Sequence, residues 1–277
     1  MNIITLTENT AGNVGVLAEW GLSILVEVDG LNVLLDTGLS ASVVHNASVL
    51  GIDLSIIDKI VISHGHTDHT GGLRQLLKTM RKEVEVIAHP DIWDAKYSER
   101  AREGLYVYAG IPFRREELEG LGASFTLTSE PVWISDRIVT TGEIPMLTDY
   151  EKIDGNLHVR KEGEFHPDPL RDDLALAIKT EQGLVMITGC AHRGIVNTLL
   201  HAQKLTGIEA VDTVVGGTHL IRATEERVEL TIAELKRFGI QRLGASHCTG
   251  FPATVRLAEE FGDIFFANNA GTRLQLP

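Results

Sequence analysis

Residues 63–72 read Ser-His-Gly-His-Thr-Asp-His-Thr-Gly-Gly and follow directly on the apolar run Ile60, Val61 and Ile62. Three histidines and an aspartate within six residues suit neither a strand nor a helix interior. The chain must therefore leave a buried strand at Ser63 and turn tightly. On a loop at a strand's C-terminal end, this spacing aims His64, His66, Asp68 and His69 at one volume. Imidazole and carboxylate are ligands for zinc, iron or manganese. One ion would need two of the four residues plus outside help, so four of them imply two adjacent divalent ions sharing the loop. The rest of the fold has to deliver the missing ligands from distant segments.

The surrounding pattern alternates between strands and helices. Apolar runs at 22–29 and 31–38, split by Asp29-Gly30, predict a hairpin. A helix at 40–52, a strand at 57–64, a helix at 71–82 and a strand at 84–90 follow. The stretch 91–122 is mixed, with a helix at 114–121, and further strands are expected at 124–127, 131–134 and 137–141. Residues 143–171 are polar and bear Pro and Gly, which reads as a long loop able to cover a site. The second half resumes with strands at 174–180 and 184–189 around Gln182-Gly183. A helix at 192–206, a strand at 211–215, a helix at 224–238, a strand at 241–245, a helix at 253–261 and two terminal strands complete it. Each half passes from a β-meander to β/α units, which predicts two mixed sheets packed face to face with helices outside. There is no residue-level internal repeat. The 277 residues, 43% hydrophobic, suffice for one domain, 1–277, of two αβ halves with a boundary near 142–172.

Charge narrows the partners. A net charge of −13 repels a phosphate backbone, and the chain shows no basic stripe, so nucleic acid is not expected as a partner. The segment Phe113–Gly120 is a mixed-charge helix. The opening Met1–Gly12 lacks an export signal, and no apolar run approaches the roughly 18 residues of a membrane span. A cytoplasmic protein without a membrane segment is expected, and the sequence carries no signal for an oligomeric state. Cys190 and Cys248, the only cysteines, both sit beside histidines, which favours site chemistry over a disulfide.

The run His64–His69 matches H-x-H-x-D-H, and on it the chain resembles the metallo-β-lactamase superfamily along nearly its whole length. The resemblance implies an α/β (α+β) fold, a four-layer αβ/βα sandwich with the metals at one sheet edge. It implies that Asp36, in Leu34–Gly38, supports the metal loop by hydrogen bonding. His64 and His66 would hold the first ion, with Asp68, His69 and His247 (in Leu243–Gly250) on the second. Asp68 would also orient the reacting group. Cys190, in Met186–Gly194, stands where the superfamily carries a bridging aspartate. A thiolate there can still ligate zinc. The superfamily's middle histidine, due between 130 and 160, is missing. Glu143 stands near that place, and Cys190, His192 and His219 are the other residues able to complete the first shell; His192 and His219 could instead contact substrate. His158 is a lesser candidate, and His45, His89, His166 and His201 read as surface or structural histidines.

The segments Asn9–Gly12, Glu19–Glu27, Asp36–Gly38, Gly189–Leu199, Gly216–Leu220 and His247–Gly250 together resemble one branch of the superfamily. It is the branch labelled 7,8-dihydropterin-6-methyl-4-(β-D-ribofuranosyl)aminobenzene-5′-phosphate synthase-like. That label implies joining a dihydropterin to a ribofuranosylaminobenzene phosphate in methanopterin biosynthesis. Trp20 departs from the histidine common in this branch, and its ring could stack on a pterin. Helix starts after Cys190 and after His247 could receive a phosphate on free N–H groups, with Arg193 and Thr249 adding side chains.

The leading expectation is a binuclear metal-dependent hydrolase, with zinc favoured over iron or manganese, acting on a small phosphorylated or ester substrate. Pterin coupling is the alternative, and a metal-dependent ligand sensor is the reading outside enzymes. An oxygen reductase is disfavoured because His66 stands where that branch carries Glu, a nuclease by the net charge, and a lactam hydrolase by the missing export signal.

Overall fold

The computed structural model describes residues 1–100 and 104–277. The mixed stretch 91–122 thus includes 101–103, which lie outside the described residues. The chain divides into two compact units: Met1–Thr128 with Gly155–Asp172 and Asn269–Pro277, and Ser129–Asp154 with Asp173–Asn268.

The first unit is built on a seven-stranded sheet in the order Arg273–Gln275, Asn2–Thr7, Ser23–Val28, Leu31–Leu35, Lys59–Val61, Val84–Ala88, Ala123–Leu127. The last four strands run parallel to one another. Val33, Leu34, Leu35, Ile60, Val61 and Ile62 are all fully buried, the unbroken apolar run expected of a strand covered on both faces. The helix Leu73–Met80 buries Leu73, Leu76, Leu77 and Met80, the stripe of an amphipathic helix against a core. Gly72 opens this helix so close to Thr37 that any Cβ would collide with the Thr37 carbonyl.

A second, four-stranded sheet in this unit orders Glu164–Pro167, Leu157–Lys161, Lys96–Glu99 and Tyr106–Tyr108. The expected long loop at 143–171 therefore holds a β-hairpin. Its alternating polar residues read as loop because one face carries Tyr97, Tyr106, His158 and Phe165 packed ring against ring rather than aliphatic side chains. Asn2–Thr7, an unexpected strand, is covered on both edges by sheet partners.

The second unit carries a five-stranded sheet, Arg242–Ser246, Val211–Gly217, Leu184–Thr188, Ala175–Lys179 and Ile138–Thr140. The first three strands run parallel. The helices Ile195–Thr206, Glu225–Arg237 and Phe251–Phe261 connect or follow them and pack Ile195, Leu199, Ile232, Leu235 and Leu257 into this unit's own core. The expected strand at 131–134 reduces to a single bridge, Trp133 to Val139. Only Arg273–Gln275 forms a strand of the two expected at the C-terminus. No helix among the described residues is long and apolar enough to cross a membrane.

Candidate metal centre

In each unit the candidate residues leave the C-terminal ends of parallel strands, where open α/β sheets bind ligands. In the first unit the strand Lys59–Val61 ends and the chain turns through Ser63–Gly72. Asp36, fully buried at the end of the neighbouring strand, organises that turn. Its carboxylate accepts the Ser63 backbone N–H and the Ser63 hydroxyl, both at 2.7 Å, and lies 2.7 Å from His69 Nδ1. Ser63 Oγ is also 2.9 Å from His64 Nδ1. These contacts fix both rings through their Nδ1 side and leave Nε2 for a ligand role. His69 Nε2 stands 3.8 Å from Asp68 Oδ2, and His64 Nε2 lies 2.9 Å from His66 Nδ1. Burial pushes the His66 imidazole down to about 3. It is therefore neutral at any ordinary pH, the state in which imidazole binds a metal.

A second set of contacts fixes the loop from below. The Gly65 N–H, between His64 and His66, donates to Asp172 Oδ2 at 2.8 Å. Asp172 Oδ1 and Asp168 Oδ2 each accept from Lys96 Nζ at 2.9 Å, and all three side chains are buried. Thr67 N–H donates to the Ala109 carbonyl at 2.8 Å. None of Lys96, Asp168 and Asp172 was singled out from the sequence.

In the second unit Cys190, His192, His219, His247 and Cys248 are all buried. One ligand atom from each of Cys190, His192 and His219 falls within 4.8 Å of the others, and the same holds for Cys190, His247 and Cys248. The His192 and His219 rings are 4.0 Å apart. Asp154, also unforeseen, accepts from His219 Nε2 at 3.3 Å. Burial alone would lower the His219 imidazole, but its hydrogen bonds to Asp154 and Cys248 and their charges push it up to about 10. Burial likewise works to raise the Cys248 thiol, yet contacts with Cys190, His219 and His247 hold it well below the usual thiol value. Ala191, His219 and His247 take left-handed backbone with φ of 55°, 47° and 54°, as Asp36 does at 60°. Such strain gathers at functional sites. Buried thiol and imidazole donors, with acidic partners on the outer imidazole nitrogens, are a donor set that fits a divalent metal.

The other sequence candidates separate. Glu143 lies 3.7 Å from an Arg193 Nη and is partly exposed. Arg193 Nε also donates to the Ile144 carbonyl, and its backbone N–H donates to Asp173 at 2.8 Å. The helix start at Ile195, expected to be open to phosphate, already holds an anion. The buried Glu151 carboxylate accepts Val196 N–H at 2.9 Å and Asn197 N–H at 2.8 Å. Thr249 Oγ1 donates to the Ser246 carbonyl at 2.7 Å and accepts from Thr218 at 3.0 Å, which leaves it no outward hydroxyl. Trp20 is 48% exposed. His158 packs on Tyr106 in the small sheet. His45, His89 and His201 bond locally, to Gly15, Asp91 and Thr141, and His166 is exposed on an edge strand.

Comparison with known proteins adds four findings. A model of the metallo-β-lactamase superfamily matches residues 21–206. A 7,8-dihydropterin-6-methyl-4-(β-D-ribofuranosyl)-aminobenzene-5′-phosphate synthase of Methanocaldococcus jannaschii is 37% identical over 98% of this chain and 95% of its own. The crystal structure of Tm1679, a metal-dependent hydrolase of the β-lactamase superfamily, superposes with a TM-score of 0.86 at 30% identity, covering 100% of this chain and 99% of that one. Zinc-bound PqqB from Methylobacterium extorquens shares the fold alone, with a TM-score of 0.58 at 12% identity over the full length of both chains. These likenesses bear out the expected α/β sandwich of mixed sheets.

Proposed function

Since the chain belongs to the metallo-β-lactamase superfamily, we propose that this metal-dependent enzyme joins a dihydropterin to a ribofuranosylaminobenzene phosphate. The observation that carries this reading is the 37% identity to the archaeal synthase, sustained over 98% of the chain. The whole of 1–277 is taken as one catalytic domain, and its substrates as small molecules.

His64, His66, Asp68 and His69, with Cys190 and His247, are proposed to hold two divalent ions. Cys190 favours zinc among them, because thiolate is a soft donor. His192 and His219 complete the first shell or meet substrate. When bound, the ions would polarise the bond to the departing group and neutralise its charge. The chain's own residues do the rest. Asp36 keeps His69 in one tautomer and one orientation. Asp154 fixes the proton on His219 Nε2, so the opposite ring nitrogen, Nδ1, is the one that can pass a proton to a departing oxygen. Trp20 offers a half-exposed ring for stacking on the flat pterin.

The test is to incubate the purified, metal-loaded protein with the aminobenzene riboside phosphate and an activated dihydropterin, and to follow products by mass spectrometry. Coupled product that disappears in His66→Ala is expected; its absence with intact wild-type protein sinks the coupling reading. A second reading, hydrolysis of a small phosphorylated or ester substrate, is favoured by the likeness to the metal-dependent hydrolase at 30% identity. It predicts cleavage of the pterin partner alone, with water as the acceptor and no coupled product.

A further inference from the structure

Neither the family resemblance nor the proposed reaction gives Cys248 a task. It lies in the short turn His247–Thr249 that closes the strand Arg242–Ser246. Its side chain is 1% exposed, and its sulfur donates to the Cys190 carbonyl at 3.4 Å. One ligand atom from each of Cys190, His247 and Cys248 falls within 4.8 Å of the other two. Two sulfurs on one tetrahedral zinc, each about 2.3 Å from it, stand about 3.8 Å apart. Small side-chain rotations therefore suffice to bring all three atoms onto one ion.

The backbone has been cleared to admit this sulfur. A Cβ on Gly217 would stand 2.3 Å from the Gly189 carbonyl oxygen, 2.6 Å from Cys248 Sγ and 3.0 Å from Cys190 Cα. The strand Val211–Gly217 thus ends in a residue without a side chain where the two cysteines meet. His247, held at a φ of 54°, turns the chain so that consecutive residues contribute to the same donor group. A thiol needed only for packing would be served by aliphatic neighbours; this one is met by a second thiol and an imidazole.

We propose that Cys248 is a thiolate ligand, forming with Cys190 and His247 a soft three-donor set for zinc or a similar ion. The inference rests on the metal-dependent reading above and adds a ligand that the resemblance does not supply. Binding replaces the S–H bond with an S–metal bond and releases the thiol proton to solvent. Two thiolates select zinc or cobalt over manganese and magnesium.

The test uses the full-length protein loaded with cobalt(II), whose thiolate-to-metal charge-transfer absorption reports sulfur ligands. Cys190→Ser and Cys248→Ser are each expected to lose roughly half of that absorption, and the double variant all of it. Zinc affinity of Cys248→Ser, measured by chelator competition, is expected to fall about tenfold or more. Full absorption in Cys248→Ser, with complete loss in Cys190→Ser, overturns the proposal. Should the variant fail to fold, zinc X-ray absorption on the wild type counts the sulfur scatterers directly. Two per chain are expected, and one overturns the proposal. Protein that binds metal and makes coupled product with a single sulfur ligand sinks this inference alone. Wild-type protein that binds no metal sinks the metal-dependent function with it.

Discussion

Replacing Lys96 by Met keeps an unbranched side chain only one atom shorter and removes its charge from between two buried carboxylates. Lys96 is 1% exposed and its Nζ sits 2.9 Å from both Asp168 and Asp172, themselves 4% and 0% exposed. Removing one partner from such a cluster strands the other charges, which costs about 3–5 kcal/mol. At roughly 2–4 °C per kcal/mol for a chain somewhat under this size, the melting temperature should drop by about 10 °C. Burial already raises the Asp172 carboxyl, against the opposing charge of Lys96; without the lysine it rises further. A carboxyl whose folded pKa lies above its unfolded value binds more protons when folded, so the variant's deficit should shrink as pH is lowered from 7 to 5.

Asp172 also receives the Gly65 N–H between two candidate ligands. Zinc affinity should therefore fall by about 10–100-fold, the usual cost of losing a contact behind a ligand. Urea unfolding of metal-free protein at both pH values, with chelator competition on the same preparation, measures both effects. A stability loss below about 1 kcal/mol would refute the buried-triad argument. A full stability loss with unchanged zinc affinity would refute its extension to the metal loop.

Asp36→Asn should lower zinc affinity by about 10–100-fold, because the amide cannot accept three hydrogen bonds as the carboxylate does; isothermal titration would show it. Glu151→Ala leaves the N–H groups of Val196 and Asn197 buried without an acceptor. At about 1–3 kcal/mol for each of the two orphaned groups, a loss of roughly 2–6 kcal/mol is expected in urea unfolding, and near-zero loss would show that water replaces the carboxylate. In the metal-free protein His219 is raised to about 10. Its contribution to stability is complete below the unfolded value of about 6.5 and fades as pH climbs through the folded one. Asp154→Asn should flatten that alkaline loss, which thermal melts between pH 6 and 10 would detect.

Most of the parallel strands were legible because they are apolar runs closed by a glycine, histidine or aspartate, as Leu31–Leu35 is by Asp36 and Leu184–Thr188 by Gly189. Strands covered on both faces need no alternation, so burial and sequence agree there. The small sheet was not legible for the opposite reason. Lys96–Glu99, Tyr106–Tyr108 and Glu164–Pro167 are three or four residues long, mix charge with aromatic rings, and pair across separations that no local pattern encodes. Trp133 failed in the other direction. Its β-favouring neighbourhood predicts a strand, but residues 135–137 turn back at once and leave one bridge to Val139.

The candidate site divides along the same physical line. His64–His69 announce themselves because the ligands are neighbours in sequence, and Asp36, Cys190, His219 and His247 are visible because each ends an apolar strand. Lys96, Glu151, Asp154, Asp168 and Asp172 look like ordinary charges of polar segments. A carboxylate that caps a buried helix start and one that faces water have the same letter and the same polar neighbours. What distinguishes them is the partner brought by the fold: Gly65 N–H for Asp172, Val196 N–H for Glu151, His219 for Asp154. Each of those partners is donated by a residue next to or at a candidate ligand, or by the helix that follows one. Glu151, Asp154, Asp168 and Asp172 are therefore not a solvated surface but supports of the donor groups, and these four positions should tolerate charge removal poorly, unlike the exposed Glu162 and Glu164 of the same stretch.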